Sequence, residues 1–117
     1  MIVDSGKEVT LRNFIGGDIL IHFFTNDIEI NESTIGEDLI ESDAVKPSKL
    51  FPILWTVLNN TAYIEDVITF KKPIEKLYGY FITYESILFW VDKFSDGPYE
   101  IAGKDDTIKL KLTISFD

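Results

Sequence analysis

The 117-residue chain is expected to fold as an all-β protein, an antiparallel jelly-roll-like β-sandwich with a short N-terminal helix. Three observations lead there. The segment from Tyr78 to Ile101, YGYFITYESILFWVDKFSDGPYEI, holds two strand-length runs that are apolar on both faces, followed by a sharp Asp96-Gly97-Pro98 turn. The closing run from Thr107 to Phe116 alternates cleanly, with Ile108, Leu110, Leu112, Ile114 and Phe116 on one face and Lys109, Lys111, Thr113 and Ser115 on the other. About seven or eight short runs of this kind, separated by turn signals and without βαβ alternation, point to a sandwich or closed barrel.

The elements follow in order. Ser5-Gly6-Lys7-Glu8 fits a capping box, and Leu11, Phe14 and Ile15 share a helical face, so a helix is expected over about 6–15 and is ended by Gly16-Gly17 in the left-handed conformation. From Asp18 the period changes to two: Ile19, Ile21 and Phe23 point one way, and Leu20, His22 and Phe24 the other. Such a strand needs cover above and below. Thr25-Asn26-Asp27 closes it, and an acidic loop occupies about 26–45, irregular from 33 onward because Gly36 weakens the capping pattern of Thr34 and Glu37.

Pro47 and Pro52 bracket Leu50-Phe51 and predict a turn or edge strand, since proline cannot donate to a ladder. Strands are then expected over 53–58 and 62–70, joined by Asn59-Asn60, and over 77–84, 87–94 and 107–116. No repeat, low-complexity tract or linker divides the sequence, so residues 1–117 are read as one β-sandwich domain.

Composition narrows the function classes. There is no cysteine, which removes disulfides and thiolate metal sites. The start, MIVDSGKEV, lacks a basic n-region and a continuous apolar h-region, and no run reaches the roughly 18 apolar residues of a spanning helix. The expectation is a soluble protein made in the cytoplasm without a signal peptide, with no membrane partner. Asp27, Glu29, Glu32, Glu37, Asp38, Glu41 and Asp43 supply most of the net charge of -9, and the bases are scattered, so nucleic acid is not an expected partner.

No catalytic set stands out. His22 is the only histidine, and a general base there would need an orienting partner that the sequence does not identify; a core or interface imidazole is the simpler reading. Glu85, Asp92, Asp96 and Glu100 are acids near turns whose separation is not fixed by the sequence, and Asp96 with Asp105-Asp106 does not match a calcium loop. No catalytic residue, cofactor or metal is assigned. Trp55, Trp90, Tyr63 and the remaining tyrosines would suit a sugar-stacking platform or a protein interface as well as a core.

Tyr78, Tyr80, Ile82 and Tyr84 fall on one strand face and Leu77, Phe81 and Thr83 on the other, and both faces cannot line one core. Either the N-terminal helix or another subunit must cover the outer one. The second is favoured, because large exposed apolar patches are unusual on monomers. Tyr78, Tyr80, Tyr84, Trp90 and Tyr99 are the candidate interface residues.

Three segments taken together, IHFFTND at 21–27, YGYFIT with LFWVDKFSDGPYEI at 79–101 and DDTIKLKLTISF at 105–116, resemble a family of small virion proteins of tailed bacteriophages. Members of that family show an LFTN-like strand end, a VYGYFVT-like strand, an LLWAERF-DGP-like strand and turn, and a final alternating strand. Residues 44–60 depart from the pattern, being more apolar and less glycine-rich. The resemblance implies a structural protein of the virion, a capsid decoration or cement protein on the major capsid protein, often trimeric. The alternatives are a tail, baseplate or fibre component that binds a host surface, and a free-standing carbohydrate-binding module.

Overall fold

The computed structural model describes residues 1–44, 48–49, 56–103 and 105–116, and bears out the all-β reading. Helix α1 (Leu11–Gly16) precedes nine described strands: β1 (Ile19–Phe24), β2 (Ser48–Lys49), β3 (Thr56–Leu58), β4 (Thr61–Thr69), β5 (Ile74–Leu77), β6 (Gly79–Tyr84), β7 (Ile87–Lys93), β8 (Tyr99–Ile101) and β9 (Thr107–Ser115). They form a four-stranded sheet of order β2-β1-β6-β7, a three-stranded sheet β3-β4-β9 and the pair β5-β8. Every pairing is antiparallel. The two four-stranded sheets that a jelly roll requires are not both formed by the described residues.

Side-chain alternation builds the core. Ile19, Ile21 and Phe23 of β1 and Tyr80 and Ile82 of β6 meet Ala62, Ile64 and Ile68 of β4 and Leu110, Leu112 and Ile114 of β9 between the two larger sheets. β5 and β8 add Ile74, Leu77 and Ile101, and α1 contributes the fully buried Phe14. On β9 the inward residues are those the alternation names, with Ile108 and Phe116 half-buried at the two ends.

The four-stranded sheet is apolar on its outer face too, and there a second cluster forms from Val3, Phe24, Leu39, Phe81, Leu88 and Val91, with Ile28, Ile30 and Tyr78 at its margin. The cover is therefore supplied by the chain itself, by its first residues and by the acidic stretch, and not by α1 or a second subunit as the two-faced strands had suggested. Residues 1–3 extend along β7: Ile2 bridges Trp90, Val3 N–H donates to the Phe89 carbonyl at 3.2 Å and Val91 N–H to that of Met1 at 3.0 Å. Asp4 N–H reaches the Glu32 carbonyl at 2.7 Å and ties the two covering segments together.

A bulge between Ile82 and Thr83 lets β7 serve both clusters. Ile82 pairs with Trp90 and Thr83 with Leu88, so Phe89 is the extra residue. Phe89 and Trp90 then both turn to the main core while Leu88 and Val91 keep the outer face. Phe14 and Phe116 pack on the Phe89 ring at centroid distances of 5.0 and 5.7 Å.

Four local expectations are corrected. Ser5 does not cap a helix: residues Asp4–Gly6 form a 3-10 turn, the Ser5 hydroxyl donates to the Leu88 carbonyl, and Thr10 caps α1 by accepting from Asn13 N–H at 3.3 Å. The competing demand is docking, because the Gly6 backbone lies so close to Phe89 that a Cβ would meet its carbonyl oxygen at 2.6 Å. Gly16-Gly17 does end α1, but Gly17 is extended, with φ of -93°; the Tyr84 ring fills the space its Cβ would take. The strand expected over 77–84 breaks at Tyr78, whose N–H donates to the Phe24 carbonyl as the chain passes between sheets, so Tyr78 does not share the face of Tyr80.

Asn59-Asn60 forms its expected turn, with Asn59 at φ of 56°. The turn or edge strand expected at Leu50-Phe51 with its flanking Pro47 and Pro52, and the first three residues of the strand expected at 53–58, including Trp55, lie outside the described residues.

Candidate functional site

The five aromatic residues singled out in the sequence do not form one surface. Tyr80 is 8% exposed and Trp90 half-buried, and both hydrogen-bond Asp92 Oδ2, at 3.2 and 2.8 Å. Burial, and then the negative charge of Asp92, push the Tyr80 hydroxyl well above its ordinary pKa. Phe94 links Tyr80 to Tyr99, with centroids 6.1 and 4.7 Å away, and the Tyr99 hydroxyl donates to Asp96. Tyr80, Trp90 and Tyr99 thus border the main core with their polar atoms engaged inside the chain. Tyr78 lies on the other side of the sheet beneath the Lys93 ammonium, 5.6 Å from its ring centre. Tyr84 sits at the far end, lining a hollow of roughly 240 Å³ with Gly6, Val9 and Ile87.

His22 has the partners that sequence could not supply. Its Nδ1 is 2.8 Å from Glu41 Oε2 and its Nε2 2.9 Å from Thr83 Oγ1, and the ring lies flat on Phe81 at 4.6 Å. An ionised carboxylate only accepts, so Nδ1 carries the proton. The order hydroxyl, imidazole, carboxylate matches a nucleophile–base–orienter relay. The same residues hold the fold together: Glu41 bridges Phe24 and Ser42 N–H donates to the Phe23 carbonyl at 2.8 Å, so the relay also fastens the acidic stretch to β1. Among the described residues no group of three or more acidic or imidazole side chains converges to hold a metal ion.

The outer face of the β3-β4-β9 sheet is different. Tyr63, Glu65 and Val67 of β4 stand opposite Thr113, Lys111 and Lys109 of β9, and Leu58 of β3 shares the face. Tyr63 is 38% exposed, Val67 57% and Leu58 61%. Lys109 Nζ pairs with Glu65 at 2.6 Å; that hydrogen bond holds the Glu65 carboxyl below its ordinary pKa, and the charges of both lysines add to it. Thr56, Tyr63, Glu65, Lys111 and Thr113 line a shallow concavity of roughly 460 Å³.

Compared with known protein families, curated proteins and solved structures, the chain matches none. The chemistry of the site is therefore read from its residues. A flat β face with an aromatic ring, two aliphatic side chains and both signs of charge is suited to recognition: the apolar atoms gain by leaving water, and the charges fix register. Sequence reasoning names Tyr63 among the stacking aromatics but leaves it out of the five interface residues, and passes over Val67 and Leu58, because the aromatic density of 78–101 is stronger. The available signal was that β4, like β1, carries apolar residues on both faces, with Ala62, Ile64 and Ile68 inside and Tyr63 and Val67 outside.

Proposed function

We propose that the protein is a structural subunit of a bacteriophage particle, a capsid decoration or cement protein that binds the major capsid protein and performs no chemistry. The observation that carries the binding role is the contrast between the two sheets. The outer face of β2-β1-β6-β7 is roofed by the chain's own residues, whereas that of β3-β4-β9 presents Tyr63, Val67 and Leu58 to solvent. The resemblance of the strand motifs supplies the particle. Many symmetric copies, each burying a modest apolar face, add small increments of stability to a shell.

Antibody raised against the purified protein tests this on purified particles of the phage whose genome encodes it. Label over the heads is the expected result. Label confined to tails would move the subunit to the tail or fibre, and unlabelled particles would overturn the proposal. The concavity beside Tyr63, with two hydroxyls, a carboxylate and an ammonium around an exposed ring, favours carbohydrate binding as a second reading. A glycan-array signal lost in Tyr63→Ala would support it.

A further inference from the structure

We infer that the outer face of β4 and β9 is complementary to itself and takes the same face of a second copy of this chain about a two-fold axis parallel to the strands. This rests on the reading of that face as a docking surface and concerns the free subunit: a second copy covers the face in solution, and the major capsid protein takes the place of that copy on the particle.

The register sets the geometry. Tyr63, Glu65 and Val67 lie side by side with Thr113, Lys111 and Lys109, so an acid on one strand and bases on the next are about 4.8 Å apart. Place a second sheet face to face, about 10 Å away, with the two-fold axis running between β4 and β9. β4 of each copy then lies over β9 of the other, and residues at one height exchange strands. Glu65 faces Lys111 of the second copy, Tyr63 faces Thr113, and Val67 lies along the methylene stem of Lys109. Each contact occurs twice, as a closed two-fold pair requires.

Charge selects this axis over its competitor. Rotation about an axis across the strands through the same point would set Glu65 over Glu65 and Lys111 over Lys111, and like charges in direct opposition repel. Lys111 is also the base with charge to offer: Lys109 is held by Glu65, while Lys111 is exposed and makes no ion pair among the described residues. Shape agrees with charge. Thr113 borders the concavity beside Tyr63, so the tyrosine of each copy is directed at the hollow of the other. On the opposite side of the sandwich the sheet face itself is occupied by Val3, Leu39 and their neighbours.

The test is sedimentation equilibrium over a concentration series on the wild-type chain, Glu65→Lys, Lys111→Glu and the double variant. The wild type is expected to form a dimer. Each single variant sets like charges against each other twice and should weaken the dimer by about tenfold or more, while the double variant restores opposite charges and should recover most of the affinity. A wild type that stays monomeric, a dimer indifferent to both single variants, or a double variant no better than the singles overturns the inference. Thermal melting is followed for every variant. If a charge-reversed chain does not melt cooperatively, Thr113→Arg, which keeps Glu65 and Lys111 and fills the hollow, is expected to abolish the dimer; a dimer that survives it overturns the inference. Particle labelling is read separately: a monomer that labels heads retains the docking role and loses only the two-fold pairing, and a dimer that labels none does the reverse.

Discussion

Tyr80 and Trp90, from neighbouring strands β6 and β7, hydrogen-bond the same carboxylate oxygen, Oδ2 of Asp92. One acid thus satisfies two polar atoms at the margin of the core, and its Oδ1 accepts from the Met1 amino group at 3.1 Å. Asp92→Ala leaves a buried hydroxyl and an indole N–H without their acceptor. It should lower stability by about 1–3 kcal/mol in urea titrations and shift the fluorescence of Trp90.

Alkaline pH acts on the same cluster. The Tyr80 pKa is raised in the folded chain above its ordinary value of 10, so the unfolded chain loses this proton first. The stabilisation is complete below pH 10 and is lost as pH climbs beyond it. Urea midpoints measured between pH 8 and 11 should fall less steeply for Tyr80→Phe than for the wild type.

Glu41→Gln weakens the fastening of the acidic stretch to β1. The expected loss is about 1 kcal/mol, the worth of one hydrogen bond to a charged group set against partial exposure. Hydrogen exchange should report faster opening at the Thr25 and Ser42 amides, which bond the Ile40 and Phe23 carbonyls, with little change on β9.

Gly79→Ala tests close packing at the start of β6. An added methyl would collide with the Asp92 carbonyl oxygen and meet the Phe24 ring at 2.7 Å, and backbone cannot rotate away as a side-chain tip can. Overpacking of this kind costs about 1–3 kcal/mol, read as a lowered melting temperature.

Phe89→Ala removes the bulge residue around which Phe14 and Phe116 gather. A fully buried phenylalanine is expected to cost about 3–5 kcal/mol on truncation, and loss of the bulge register should move the Trp90 emission as well.

What the sequence discloses depends on how many demands each residue meets. β9 was legible to within a residue because its outer face is wet and only the period of two fits it. β1 was legible as a strand needing cover on both sides. The identity of that cover was not, because Ile28, Ile30 and Leu39 are sparse apolar positions within a stretch dominated by charge. The helix start was misjudged since Ser5 and Thr10 both have capping chemistry and tertiary contact with Phe89 decides between them. Tyr78 hides a break between two strands because an apolar run reads the same whether or not it changes sheet. The partner of His22 is 19 residues away and became visible only once the acidic stretch was seen folded back.

Phe23 and Phe24 are consecutive, each at most 1% exposed, and each is anchored in a different hydrophobic cluster. A single strand is therefore a wall shared by two compartments. Opening the roof bares Phe24, Phe81 and Val91 on the same sheet that closes the main core, so the acidic covering and the sandwich beneath it should melt in one transition, with the roof acting as a working part of the folding unit.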